Sequence, residues 1–269
     1  MSTHSASFVG DIPRHYDNGL GPNIFVDYAE AIAEECCKEK PRRVVELAAG
    51  TGILSQMLRS GLPREAALLV TDLNAPMLDV AKTKLSGAEN VDYAVVDAMD
   101  LPFENATFDL MACQFGVMFF PDKAASFREA ARVLKQGGRY VFNVWSAMDD
   151  NPFSLVAHDV GKRFFPTNPP GFYKVPFHYG DPEGVISDLG SAGWSSIGHK
   201  TIRLQKAIVN PEAFATALVF GNPLIDEIRE RGDVDPDEVA AAMLAALQEA
   251  FGPCGMTMPL SSTTFVCRK

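Results

Sequence analysis

Residues 44 to 52, Val-Val-Glu-Leu-Ala-Ala-Gly-Thr-Gly, constrain the fold more than any other stretch of the chain. Val44 and Val45 are β-branched and suit a strand covered on both faces, and the run then opens into small residues before Ile53 to Ser60 takes up helical spacing. Ala48, Ala49, Gly50 and Gly52 leave the backbone open to close approach, and Glu46 stands where the strand runs out. In open α/β sheets, ligands bind beyond the carboxyl ends of strands, so this turn is expected to face one. Gly50-Thr51-Gly52-Ile53-Leu54-Ser55 falls one glycine short of the dinucleotide fingerprint, with Ser55 in the last glycine's place. Asp72, about twenty residues beyond Gly52, closes the next apolar run and can accept hydrogen bonds from ribose hydroxyls. NAD enzymes and other nucleoside binders share that spacing.

The rest of the pattern alternates. Strands are expected at Arg43 to Leu47, Ala66 to Thr71, Val91 to Asp97, Phe108 to Cys113 and Arg139 to Trp145, with helices at Gly52 to Ser60, Ala75 to Leu85 and Lys123 to Leu134. That order predicts a parallel, doubly wound α/β sheet with helices on both faces. Asp97, at the exit of the third strand, fits a partner for an adenine amino group. Upstream, Phe8 to Gly21 reads as irregular chain and Asn23 to about Lys38 as a helix across the mouth or edge of the sheet, which could carry Tyr16 and Asp17 over a ligand. Beyond Trp145 come an amphipathic stretch (151 to 165), a Pro/Gly-rich break (166 to 171), a helix (181 to 192), and two more strands (197 to 206 and 257 to 267) enclosing a helical insertion (211 to 251). We expect one domain over 1–269: a cap segment at 1–40, a ligand-binding core at 41–146, and insertions at 147–180 and 207–252.

Composition removes several classes. A formal charge of −10 opposes binding to phosphate backbones, so nucleic acid is not an expected partner. Five cysteines without a C-x-x-C pair indicate neither a metal site nor a disulfide framework, and point to reduced thiols in a cytoplasm. No G-x-S-x-G elbow is present. The first residues lack the charged-then-apolar order of a secretory signal, and no stretch approaches a membrane span.

Four ordered motifs carry a family resemblance over roughly residues 40 to 145. They are Val44 to Gly52, Thr71-Asp72-Leu73-Asn74-Ala75-Pro76-Met77-Leu78, Asp97-Ala98-Met99-Asp100-Leu101-Pro102-Phe103, and Ala131-Arg132-Val133-Leu134-Lys135-Gln136-Gly137-Gly138-Arg139. Together they resemble the class I S-adenosylmethionine-dependent methyltransferases, specifically the group similar to ubiquinone and menaquinone C-methyltransferases. The resemblance implies a Rossmann-like seven-stranded sheet with its last strand antiparallel, S-adenosyl-L-methionine as cofactor, S-adenosyl-L-homocysteine as product, and a small-molecule methyl acceptor, which the acidic chain and the aromatic insertions suggest is partly apolar. It implies that Glu46 and the turn through Ala48, Gly50 and Gly52 contact the methionine part, that Asp72 holds the ribose, and that Leu73 and Met77 flank the adenine. Asp97 and Ala98 would address the adenine edge, with Gln114 and Phe115 at the methionine end. Apart from the resemblance, the place of Tyr16 just upstream of a helix would let it close over the cofactor. Ala48 stands where the family usually has Gly.

The insertions would build the acceptor pocket, with Phe153, Phe164, Phe165, Phe172, Tyr173, Phe177, Tyr179 and Phe220 as its aromatic candidates. A general base is optional for displacement at a sulfonium; Tyr16, His158, His178, His199 and Tyr179 are the catalytic candidates. Two alternatives stand beside this: an NAD-dependent oxidoreductase, and a cofactor-binding module without chemistry. Acceptor identity, the atom methylated and the oligomeric state stay open.

Overall fold

The computed structural model describes residues 6–269. The Val44-Val45 pair lies in β1 (Arg43–Glu46), with parallel partners on either side, β2 (Ala67–Asp72) and β4 (Phe108–Gln114). Both faces of β1 are covered, which is why it carries no polar alternation. β3 (Val91–Val95) pairs parallel to β2, and β5 (Leu134–Trp145) parallel to β4. The long strands β6 (Ser196–Ala207) and β7 (Thr257–Arg268) pair antiparallel over their whole length, and β7 inserts antiparallel beside β5. The sheet order is β3-β2-β1-β4-β5-β7-β6. Seven strands with an antiparallel β7 match the architecture expected, and differ from the 3-2-1-4-5-6 order of dinucleotide dehydrogenases.

The helices, in chain order, begin with α1 (Ile12–His15), a π-helix (Tyr16–Phe25) and α2 (Val26–Cys37). Next come α3 (Ile53–Gly61), α4 (Ala75–Lys84), α5 (Lys123–Val133), α6 (Pro152–Phe164), α7 (Lys174–Phe177) and α8 (Pro182–Ser191). The insertion between β6 and β7 holds α9 (Pro211–Phe220), α10 (Leu224–Arg231) and α11 (Pro236–Phe251). Among the described residues no helix is long and apolar enough to cross a membrane.

One expectation fails upstream. Most of the stretch taken as irregular is helical, because α1 and the π-helix run without a break into α2. Gly19, Gly21 and Pro22 argue locally for a loop. Packing overrides them: a Cβ on Gly19 would sit 2.3 Å from the Ala217 Cβ, so this glycine lets the wide π turn press against α9. α2 then buries Tyr28, Ala29, Ile32, Ala33 and Cys36 on one stripe against the sheet. Arg139 of β5 locks its far end, donating to the carbonyls of Glu35 (3.2 Å) and Cys36 (3.0 Å). This fixes the far end of α2 against β5.

Candidate active site

The turn after β1 is folded by three left-handed residues in alternation, Ala48 (φ +49°), Gly50 (φ +57°) and Gly52 (φ +79°). Gly52 packs on α4, where a Cβ would meet that of Ala81 at 2.8 Å. Gly50 donates its N–H to Asp72 Oδ2 at 2.8 Å, tying the turn to the end of β2. Across the turn, Gly116 leaves room for Ala48, since a Cβ there would lie 2.5 Å from the Ala48 Cβ. The backbone is thereby held open along a crevice at the strand ends.

That crevice, about 1130 Å³ including its open mouth, is lined by ten of the twelve residues expected at a nucleoside site: Tyr16, Ala48, Gly50, Asp72, Leu73, Met77, Asp97, Ala98, Gln114 and Phe115. Asp72 Oδ1 accepts from the Asn74 backbone N–H (2.8 Å), so both carboxylate oxygens are oriented. Burial raises the Asp72 carboxyl above its ordinary range, and the N–H groups of Asn74 and Gly50 offset part of that rise. Leu73 is 55% exposed although apolar, and with Met77 it bounds a slot for a flat ring. Asp97 accepts from the Met99 N–H at 2.9 Å through one oxygen, leaving the other for the crevice. The crevice thus combines carboxylate acceptors with an apolar slot.

Glu46 and Gly52 do not line it. Glu46 is fully buried beneath the turn, where one oxygen accepts from Ser55 Oγ at 2.5 Å and the other has no partner. Ser55, in the place of the fingerprint's last glycine, therefore has a structural partner. Burial pushes the Glu46 carboxyl up to about 8, with Ser55 pulling it down and the Asp72 charge adding to the rise. Glu46 thus supports the turn from below, contrary to the expected direct contact.

A second cavity, with about 510 Å³ of space including its opening to solvent, lies alongside. Its walls come from the N-terminal arm (Leu20, Ile24, Phe25), the strand exits (Met118, Trp145) and both insertions (Phe153, Phe172, Tyr173, Pro176, Phe177, Leu218, Asn222). Phe8, Tyr16, Phe115 and Phe119 line both spaces. The polar groups of the insertions are bound to one another: Tyr173 donates to the Leu218 carbonyl at 2.7 Å, and Asn222 Nδ2 donates to the same carbonyl at 3.1 Å. Among the described residues no carboxylate, histidine or amine lines this cavity.

Beside the crevice, the start of the arm is fastened by side chains. Phe8 donates its N–H to Asn74 Oδ1 at 3.1 Å. Asp17 accepts from Thr51 Oγ1 at 2.7 Å and forms an ion pair with Lys84, both partners about four-fifths buried. Tyr16 stacks on Phe25 with ring centres 4.9 Å apart. Burial, then the charges of Asp72 and Asp17, hold its phenol far above the ordinary range, so it stays a neutral donor.

Of the catalytic candidates only Tyr16 reaches either space. His158 is half-buried on α6, and burial lowers its pKa. His178 is exposed, with Nδ1 against the Val175 carbonyl. Tyr179 donates to Asp188 at 2.7 Å under the Lys123 ammonium, and His199 lies exposed on β6 against Phe265. His158 and His199 are directed away from both spaces by their helix and strand, and His178 and Tyr179 by the turn that follows α7. Of the eight aromatic candidates, Phe153, Phe172, Tyr173 and Phe177 line the cavity, and Phe164, Phe165, Tyr179 and Phe220 do not. Sequence reasoning missed Phe8, Met118, Phe119 and Trp145; the last three sit at strand exits, where position alone could have flagged them.

Solved structures place this architecture. The YcgJ protein from Bacillus subtilis aligns with a TM-score of 0.58 and 18% identity, covering 90% of this chain and 98% of its own. A phosphoethanolamine N-methyltransferase from Haemonchus contortus, solved with S-adenosylhomocysteine, aligns with a TM-score of 0.59 and 18% identity over 96% of this chain and 56% of that one. At that identity they establish the Rossmann-like methyltransferase fold. The profile of the ubiE/COQ5 methyltransferase family matches residues 23–167, over half of the chain, and the chain belongs to that family. A ubiquinone/menaquinone biosynthesis C-methyltransferase from Xanthomonas axonopodis pv. citri is 39% identical over 100 residues, which is 36% of this chain and 40% of that protein. The alignment therefore spans about two-fifths of the relative's length.

Proposed function

We propose that this chain transfers a methyl group from S-adenosyl-L-methionine to a small acceptor with a flat, largely apolar ring, of the quinone-related kind its relatives' names indicate. The observation that carries this reading is the contact between a carboxylate-lined crevice and an aromatic cavity through a common wall of Phe8, Tyr16, Phe115 and Phe119. S-adenosylmethionine supplies, when bound, a methyl on a sulfonium whose leaving group is a neutral thioether. Asp72 takes the ribose hydroxyls, Leu73 and Met77 enclose the adenine, and Asp97 with Ala98 addresses its edge. Gln114, held by its donation to the Phe25 carbonyl at 2.8 Å, borders the methionine end. The aromatic cavity excludes water and fixes the acceptor ring, so alignment supplies the main acceleration. Tyr16, neutral across the physiological range, orients an acceptor oxygen by donation. An acceptor that must lose a proton does so without a side-chain base from the cavity wall.

The acidic chain suits a small-molecule acceptor over nucleic acid, and five free cysteines suit a reducing cytoplasm. Titration calorimetry tests the reading. S-adenosylmethionine should bind in the micromolar range, Asp72→Ala should weaken it about a hundredfold through lost charged hydrogen bonds, and NAD should give no heat. Binding of NAD alone would overturn the assignment.

A further inference from the structure

Phe115 and Trp145 lie face to face, ring centres 4.0 Å apart and planes 9° from parallel, with Tyr28 edge-on to Phe115 at 5.6 Å. Phe115 belongs to the wall shared by the crevice and the aromatic cavity, so the direction of its ring sets the opening between them. Its backbone sits at φ +51°, a left-handed conformation that aromatic residues rarely adopt. The peptide is held there by one side chain: the Phe115 N–H donates to Asn143 Oδ1 at 2.9 Å. Asn143 is fully buried on β5, beside Gln114 in register, and lines neither space. Its Nδ2 has no partner. An apolar residue of similar size would remove that unpaired donor but leave the buried Phe115 N–H without its acceptor. The oxygen is therefore the group of Asn143 that the fold uses here, and it acts on the peptide of Phe115.

We infer that Asn143 is a positioning residue for methyl transfer: its carbonyl oxygen locks Phe115 in the left-handed turn, and the ring, clamped on Trp145, forms the wall at which cofactor and acceptor meet. This rests on the methyltransferase reading, and two variants separate positioning from plain stability. Asn143→Leu removes both the accepting oxygen and the unpaired donor. Asn143→Asp keeps an accepting oxygen while burying an ionisable group. Melting temperature, S-adenosylhomocysteine affinity by calorimetry, and the near-ultraviolet circular dichroism of the stacked pair are measured on the full chain.

Asn143→Leu should melt lower than the wild type, bind S-adenosylhomocysteine about tenfold more weakly, and lose the Trp145 band. Asn143→Asp should melt lower yet keep the band and bind within about threefold of the wild type. Affinity that follows melting temperature in both variants, or an Asn143→Leu protein with affinity and band intact, would overturn the inference. A wild-type protein that binds no S-adenosylhomocysteine would refute the methyltransferase reading; the dichroism band would then decide for Asn143, its survival in Asn143→Leu counting against the lock.

Discussion

The two adjoining spaces are built in different ways. The crevice draws most of its wall from four short stretches, 48–50, 72–77, 96–99 and 114–121, each at the exit of a parallel strand. Strand direction alone delivers these residues to one edge. The aromatic cavity collects side chains from the N-terminal arm, the end of β5 and two separate insertions, and closes only when α9 meets the π-helix through Gly19 and Ala217. Local geometry makes the first space, and long-range packing makes the second. The crevice also rests on buried carboxyl groups, whereas the cavity wall carries none.

That last difference gives the largest expected effect. The folded chain holds the Glu46 proton more tightly than the unfolded chain, so the stability Glu46 contributes below its unfolded value is lost as pH rises towards about 8. Glu46→Gln should leave stability unchanged near pH 4 and raise it by up to about 5 kcal/mol at pH 9, read from denaturant midpoints across pH. Equal gains at both pH values would show that the carboxyl under the turn is not held protonated.

Asp72→Ala should separate the two spaces. Cofactor affinity falls about a hundredfold, while uptake of a flat apolar probe such as 2-methyl-1,4-naphthoquinone by quenching of Trp145 stays within a factor of about two. Parallel losses would mean that the crevice and cavity form only together. Lys84→Met should do the opposite, because the Asp17 clasp fastens an arm whose Phe8 and Tyr16 line both. Affinities for S-adenosylhomocysteine and for the naphthoquinone should each drop about tenfold. An effect on one ligand alone would confine the arm to that space.

The smallest effect is expected at Ala48. Glycine at φ +49° avoids the Cβ strain, offset by its greater freedom when unfolded, so Ala48→Gly should stabilise by less than about 1 kcal/mol at constant denaturant slope. A loss of stability would show that the Ala48 methyl packs on Gly116 more favourably than its backbone strain costs.

How much could be read beforehand follows the same division. Val44 to Gly52, Asp72 and Asp97 announce the crevice because period, small residues and acid placement are local signals. Glu46 shows the limit of such reading: its position at the strand exit was right, but strand alternation turned its side chain beneath the turn towards Ser55. The π-helix was hidden because Gly19, Gly21 and Pro22 break helices except where a partner demands close approach, and that partner is some two hundred residues away on α9. Among the aromatic residues of the insertions, helical spacing could not tell Phe153, which faces the cavity, from Phe165, which lies beside Arg231.

The most direct test is transfer of a tritiated methyl group from S-adenosylmethionine to a hydroquinone bearing an apolar substituent, with wild type, Asp72→Ala and the cavity-filling Leu218→Trp compared side by side. Label should enter the extracted acceptor with the wild type, and both substitutions should suppress it, the first through cofactor affinity and the second with S-adenosylhomocysteine binding intact. Transfer that persists undiminished in Leu218→Trp, or tight cofactor binding with no transfer to flat apolar acceptors, would contradict the assignment of the aromatic cavity as the acceptor site.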